Sequence, residues 1–165
     1  MFKIDLMPAG GGESWDDGGR GQVAAILISY SQDSINSLRF LYFKDGELQF
    51  SEDHGKLSGS SQMIRLGYPT EFLTAVHGYR TNNNGVSSIT FVTNKAKYGP
   101  FGDTEATPDN DYDIAFKFRR SSAGDSINGF HGTVNSHGHI GSIGIYLHTA
   151  TSAARPDSKP LSLGS

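Results

Sequence analysis

The segment INSLRF at residues 35–40 recurs twice, as VSSITF at residues 86–91 and as IGSIGI at residues 140–145. Each copy has a branched apolar residue, any residue, serine, an apolar residue, any residue and a large apolar residue. The serines stand at positions 37, 88 and 142, so the copies are separated by similar intervals of 51 and 54 residues. A polar loop precedes each copy, which favours a true internal repeat over chance similarity.

The alternation within each copy is typical of a half-buried β-strand. Residues 114–118 alternate in the same way, and Asp45-Gly46 between two apolar runs predicts a tight hairpin. Further turns are predicted at residues 67–69, 82–85, 98–102 and 108–111. No segment has the spacing of a helix. Because a small sheet cannot bury its apolar face alone, three repeated units predict three similar sheets around a pseudo-threefold axis.

The composition fits one all-β domain. The chain has 165 residues, is 36% hydrophobic and contains 21 Gly. The net charge of −3 argues against a surface for phosphate groups or nucleic acid, which needs clustered Lys and Arg. The sequence has no Cys, no apolar signal segment and no run long enough to span a membrane. These features favour the cytoplasm or the nucleus. We expect a domain over residues 1–148 and a flexible tail over 149–165, where Ala, Ser, Pro and Lys dominate.

An ordered set of motifs resembles the jacalin-related lectins of plants. The segment GGGESWDDG at residues 10–18 is similar to the glycine-rich opening and Trp-Asp-Asp-Gly motif of that family. The central and closing signatures resemble residues 54–55, 66–72, 88–95, 98–102, 129–132 and 143–147. The resemblance covers about residues 2–148, and it implies a β-prism I of three four-stranded Greek-key sheets. It also implies binding of mannose- or glucose-type glycans or glycoproteins, without a cofactor.

The resemblance further implies where a sugar would bind. A sugar offers many hydroxyls, so a lectin needs several donors and acceptors on a preformed loop. By position the family's backbone donors correspond to Gly12 and to the third-repeat loop around Gly138, His139 and Ile140. The second-repeat loop, with Asn83 and Asn84, is expected alongside.

The sequence departs from the family at Gly141. The family has an Asp at this position, which accepts two sugar hydroxyls, and the third-repeat loop here is also longer. Loss of that charge-assisted acceptor costs about tenfold to a hundredfold in affinity. Asn135 or a neutral His139 is an alternative acceptor, and Asn36 is an alternative on the first-repeat loop.

Two functions therefore stay open. The first is a mannose-type lectin with an altered site. The second is a β-prism that has lost monosaccharide binding and contacts other defence proteins, as in relatives that restrict virus movement. Edge strands of such prisms often pair between chains, so a homodimer is one expected assembly.

Other polar residues have structural interpretations. We expect Trp15 in the core, and Asp16 and Asp17 in a turn rather than as a catalytic pair. The histidines His131, His137 and His139 are candidate metal ligands, but solvated loop histidines are the favoured interpretation, so no metal is expected. The repeated serines favour a structural role. An enzyme is the alternative class, and the sequence has no hydrolase, zinc-protease or phosphate-loop motif to support it.

Overall fold

A computed structural model describes residues 1–82 and 84–149, and all regular elements in these ranges are β-strands. The thirteen strands in this part of the chain are β1 (Phe2–Asp5), β2 (Glu13–Asp16), β3 (Gln22–Ser31), β4 (Ser34–Lys44), β5 (Glu47–Phe50), β6 (His54–Gly55), β7 (Ser60–Arg65), β8 (Leu73–Thr81), β9 (Gly85–Thr93), β10 (Lys97–Gly102), β11 (Ile114–Arg119), β12 (Ser126–Val134) and β13 (Ile140–His148). No helix in the described ranges is long and apolar enough to cross a membrane. The predicted tail, apart from Thr149, lies outside the described residues.

The strands form three antiparallel sheets, each built around one hairpin. The first-repeat sheet has the order β5-β4-β3-β7, the second-repeat sheet β10-β9-β8-β11, and the third-repeat sheet β1-β13-β12-β2. In the first two sheets the last strand returns to lie beside the first strand of the hairpin, which is the Greek-key connection. The prediction of an all-β fold with three similar sheets is confirmed.

The repeated segment explains how the sheets close on one another. Its three apolar positions are buried in all three copies, with exposed fractions of 0–2%: Ile35, Leu38, Phe40, Val86, Ile89, Phe91, Ile140, Ile143 and Ile145. Phe130 joins them from β12; its ring stacks on Phe40 at 4.2 Å and meets Phe91 edge-on at 6.1 Å. These three rings come from three different sheets, so the core lies on the pseudo-threefold axis.

The first-repeat sheet has five strands where four are predicted. Strands β5 and β6 both pair with β4, so they are two pieces of one interrupted edge strand. The interruption occurs at Ser51, whose Oγ accepts the N–H of Phe40 at 2.9 Å and donates to the carbonyl of Glu52. The Ser51 hydroxyl thus bonds to β4 where the backbone pairing of the edge strand is interrupted, and pairing with β4 resumes at His54.

Two predicted turns had different outcomes. Asp45 and Gly46 both have positive φ, 53° and 82°, as the predicted two-residue hairpin turn requires. The turn predicted at residues 98–102 is wrong, because these residues belong to β10, with a bulge between Tyr98 and Phe101. Pro100 has no N–H for a ladder, and an edge strand with a bulge accommodates it.

Candidate functional site

The loops that precede the three repeated segments meet at one end of the molecule. Asp33 and Ser34 from the first-repeat loop, Asn84 from the second, and His137 and His139 from the third line a small depression of about 180 Å³. The amide of Asn135 donates to the carbonyl of Asn84 at 3.1 Å and ties the second loop to the third. Asn83, the other predicted contact on the second loop, lies outside the described residues.

Asn135 organises the third-repeat loop from within. Its Oδ1 accepts the N–H groups of His137 at 3.0 Å and His139 at 3.1 Å. Its backbone N–H donates to the carbonyl of His139, and its carbonyl accepts the N–H of Gly138. The loop is therefore preformed, but the N–H groups of Gly138 and His139 that were predicted to face a sugar donate inside the loop.

Gly12 lies directly against this loop. A Cβ at this position would stand 2.2 Å from the carbonyl oxygen of Val134 and 3.3 Å from the Cα of Asn135, and its φ is 112°. Only glycine permits this approach, which brings the opening segment and the third-repeat loop together as predicted. Between them lies a shallow depression of about 480 Å³, lined by Gly11, Gly12, Glu13, Val134, Asn135 and Ser136.

Gly141 follows on β13, where the resemblance implies an aspartate. A Cβ here would stand 3.0 Å from Thr133 Oγ1 and 3.4 Å from the Cβ of Asn135, so a larger residue needs a small shift of Thr133. The side chain of Ile140 is fully buried, which leaves only its backbone for a ligand.

The carboxylate that borders the depression is that of Glu13, which is exposed. The sequence analysis did not predict Glu13 as a residue of this depression, although Glu13 directly follows the predicted contact residue Gly12.

A model of the jacalin-like lectin domain matches residues 6–146, which span most of the chain. The chain belongs to the jacalin-like lectin family. It is 36% identical over 144 residues to Protein RESTRICTED TEV MOVEMENT 1 of Arabidopsis thaliana, covering 84% of this chain and 79% of that protein. It is 32% identical over 152 residues to Myrosinase-binding protein 1 of Arabidopsis thaliana, covering 88% of this chain and 30% of that protein.

Solved structures of jacalin-like lectins share the fold. The crystal structure of an artocarpin–mannopentose complex superposes with a TM-score of 0.74 at 29% identity, covering 89% of this chain and 97% of artocarpin. The similarity confirms the β-prism architecture that the resemblance implies, and the three sheets agree with the number predicted from the repeat. The jacalin-like lectin family as a whole binds carbohydrates and is non-enzymatic.

Asn36, the alternative acceptor on the first-repeat loop, uses its side-chain amide for hydrogen bonds within the domain. Asn36 is 1% exposed, and its Oδ1 accepts the hydroxyl of Ser34 at 2.6 Å. Its Nδ2 donates to Ser31 Oγ at 2.7 Å and to the carbonyl of Ser58 at 3.1 Å. Asn36 thus closes the first-repeat loop much as Asn135 closes the third, and a bound sugar would have to displace these contacts.

The Trp-Asp-Asp motif of this family member holds two sheets together. The ring of Trp15, which is partly buried against the core, stacks on His54 at 3.8 Å. Asp17 is buried and accepts hydrogen bonds from Tyr42 Oη at 2.7 Å and from His54 Nε2 at 2.8 Å. Burial, and then the neighbouring Asp17 carboxylate, raise the pKa of Tyr42 well above its usual value. Asp17 thus links the third-repeat sheet edge to the first-repeat sheet.

Asp16 points the other way, as expected for neighbouring residues of an extended segment. Its carboxylate accepts hydrogen bonds from Lys3 Nζ at 2.8 Å, Tyr146 Oη at 2.7 Å and the N–H of Gly18 at 2.8 Å. Partial burial opposes ionisation, but these three donors together lower the pKa of Asp16 to about 2. The two aspartates therefore do not share a site, which fits the structural interpretation of the motif.

The histidines considered as metal ligands are not all together. The rings of His137 and His139 lie 6.2 Å apart at the loop end, whereas His131 Nε2 lies 3.1 Å from the carbonyl of Ile4. Over residues 1–82 and 84–149 no group of three or more His, Asp and Glu side chains is arranged to hold a metal ion.

Proposed function

We propose that this jacalin-like lectin domain binds mannose-type glycans weakly, in the depression between Gly12 and the third-repeat loop. The observation that carries the proposal is the close approach of Gly12 to Val134 and Asn135, which leaves a concave polar surface in a preformed loop. A preformed site avoids the entropic cost of ordering a loop when the sugar binds. The mannopentose complex of artocarpin supports the choice of sugar class.

The groups at this depression suit hydroxyl recognition. The Glu13 carboxylate is an exposed acceptor, and the Ser136 hydroxyl both donates and accepts. The carboxylate stands on β2 rather than at position 141 on β13, and these two strands flank β12 on opposite sides at Val134. We therefore propose that the orientation of the sugar differs from that implied by an aspartate at position 141.

The first prediction concerns monosaccharide binding. Addition of methyl α-mannoside at tens of millimolar, the concentration scale of weak binding, is expected to shift the amide NMR signals of Gly12 and residues 136–140. Methyl α-galactoside serves as the control sugar and is expected to cause smaller shifts. Absence of shifts in both segments would contradict the mannose proposal and favour the second candidate function.

The second prediction concerns the missing carboxylate. Gly141→Asp is expected to strengthen methyl α-mannoside binding about tenfold, because it adds a charge-assisted acceptor next to the depression. Gly141→Ala is the matched control, since it adds the same Cβ near Thr133 without the carboxylate. Calorimetric titration measures both. If the aspartate variant binds no more tightly than the alanine variant, the shape of the third-repeat loop sets the affinity instead.

A second candidate function is recognition of protein partners in plant defence. It is favoured because the N–H groups of His137 and His139 donate to Asn135 Oδ1 and not outward to a sugar. Position 141 is also glycine, so the family's sugar-binding carboxylate is missing. The names of the relatives RESTRICTED TEV MOVEMENT 1 and Myrosinase-binding protein 1 support a partner that is a defence protein or a glycoprotein. A glycan array separates the two candidates: binding to mannose-type glycans supports the first, and no binding to any glycan supports the second.

A further inference from the structure

The outer face of the second-repeat sheet carries a groove with basic walls. Arg119 on β11 pairs with Ala75 on β8, Ala75 with Val92 on β9, and Val92 with Lys97 on β10. Arg119 and Lys97 therefore stand at opposite edges of one cross-strand row. Three strand spacings separate their Cα atoms by about 14 Å.

A second cation deepens one wall of this groove. Lys117 lies two residues before Arg119 on β11 and so projects from the same face of the sheet. It pairs with His77 on β8, which forms part of the floor beside Ala75 and Val92. The groove, here called the basic groove, has a volume of about 540 Å³.

Arg120 and the loop that follows it line one part of the basic groove. The Arg120 guanidinium donates to the carbonyl of Asp125 at 3.3 Å and lies 5.4 Å from the centre of the Phe72 ring. The exposed hydroxyls of Ser121 and Ser122 line the same part. Hydroxyl donors and acceptors thus stand next to the cations.

Three of the four cations of the groove lack an ion-pair partner among the residues that the structure describes. Four of the fourteen Lys and Arg residues of this acidic chain line the groove, and no Asp or Glu lines it. Within the described part of the chain, Lys97, Lys117 and Arg119 form no ion pair. Burial, followed by the charges of Lys97 and Lys117, lowers the pKa of His77. The positive potential of this face is therefore unscreened by the protein itself.

We propose that the basic groove binds an extended acidic polysaccharide that carries uronate carboxylates. A chain lying across the sheet reaches both walls, whereas a small anion would require the Lys97 and Arg119 side chains to bend toward each other across the sheet. The hydroxyls of the polysaccharide would meet His77 and the two serines at the Arg120 end of the groove. Nucleic acid fits less well, because no Phe, Tyr or Trp side chain lines the groove for base stacking.

The basic groove is distinct from the depression proposed for mannose-type glycans. That depression lies between the opening segment and the third-repeat loop, whereas the groove lies on the outer face of another sheet. The two ligand classes would therefore bind without sharing a residue, and failure of one proposal leaves the other standing.

The test is a binding titration of the full chain with a fluorescent oligomer of galacturonic acid at low ionic strength. The double variant Lys117→Gln/Arg119→Gln is expected to bind at least about fivefold more weakly, since it removes two exposed cations. The double variant Lys44→Gln/Arg65→Gln makes the same charge change at exposed positions of the first-repeat sheet and is expected to bind within about twofold of the wild type. Lys97→Gln tests the opposite wall by itself.

Ligand controls complete the test. The methyl ester of the same oligomer has no carboxylate charge and is expected not to bind, while the bound acid is expected to raise the NMR-measured pKa of His77. The proposal is supported if the uronate binds about tenfold more tightly than an oligoglutamate of equal charge and a single-stranded oligonucleotide. Equal binding of either competitor overturns it, as does equal weakening in the two double variants.

Discussion

Phe130→Ala is expected to lower the free energy of unfolding by about 3–5 kcal/mol, the range for removing a buried aromatic ring. The ring is fully buried and contacts Phe40 and Phe91 from the other two sheets. Its loss leaves a cavity on the pseudo-threefold axis that cannot collapse without moving all three sheets. Urea unfolding followed by circular dichroism measures the change.

Phe50→Ala is the matched control for this prediction. Phe50 lies on β5 at the sheet edge and is 46% exposed, and its ring is covered by Arg39 at 4.5 Å. We expect a loss of about 1 kcal/mol or less, since less apolar area leaves water. Similar losses for the two variants would mean that the three sheets do not share a single core.

Asp17→Ala is expected to destabilise the domain by about 3–5 kcal/mol, although the substitution removes few atoms. The Asp17 carboxylate accepts hydrogen bonds from the Tyr42 hydroxyl and the His54 ring, and all three groups are buried. Removal of one partner of a buried polar network leaves the others desolvated and unpaired. Thermal and urea unfolding, analysed together as a two-state transition, measure the effect.

Asp16→Ala provides the contrast, because it removes the neighbouring carboxylate in an exposed setting. The Asp16 side chain is 42% exposed and pairs with Lys3, which is 52% exposed. Exposed ion pairs contribute about 1 kcal/mol or less, so a small loss is expected. An Asp16→Ala loss as large as that of Asp17→Ala would contradict the assignment of the inter-sheet link to Asp17.

The repeated hexapeptide made the architecture predictable from the sequence. Its alternation predicts β-strands, and its three copies predict three similar sheets. The nine apolar positions of the repeat all reach the core. The close approach of Gly12 to the third-repeat loop also followed from the resemblance, since a glycine at a fixed place in an ordered motif indicates a backbone contact.

Features that depend on pairing between distant strands were not predictable in this way. The basic groove needs β10 and β11 on opposite edges of one sheet, and the net charge of −3 argued against such a surface. The role of Asn135 depends on where its amide points within the loop, which composition does not encode. The bulge at Tyr98–Phe101 likewise depends on the edge position of Pro100, whereas the local sequence of residues 98–102 predicts a turn.

The third-repeat sheet unites the first two strands with the last two, β1 and β2 with β12 and β13. During synthesis, β1 and β2 leave the ribosome long before their partners exist, and their backbone groups stay unpaired until residues 126–148 emerge. Contacts of such long sequence separation make folding slow. Emergence of residues 126–148 from the ribosome is therefore the event that permits the prism to close.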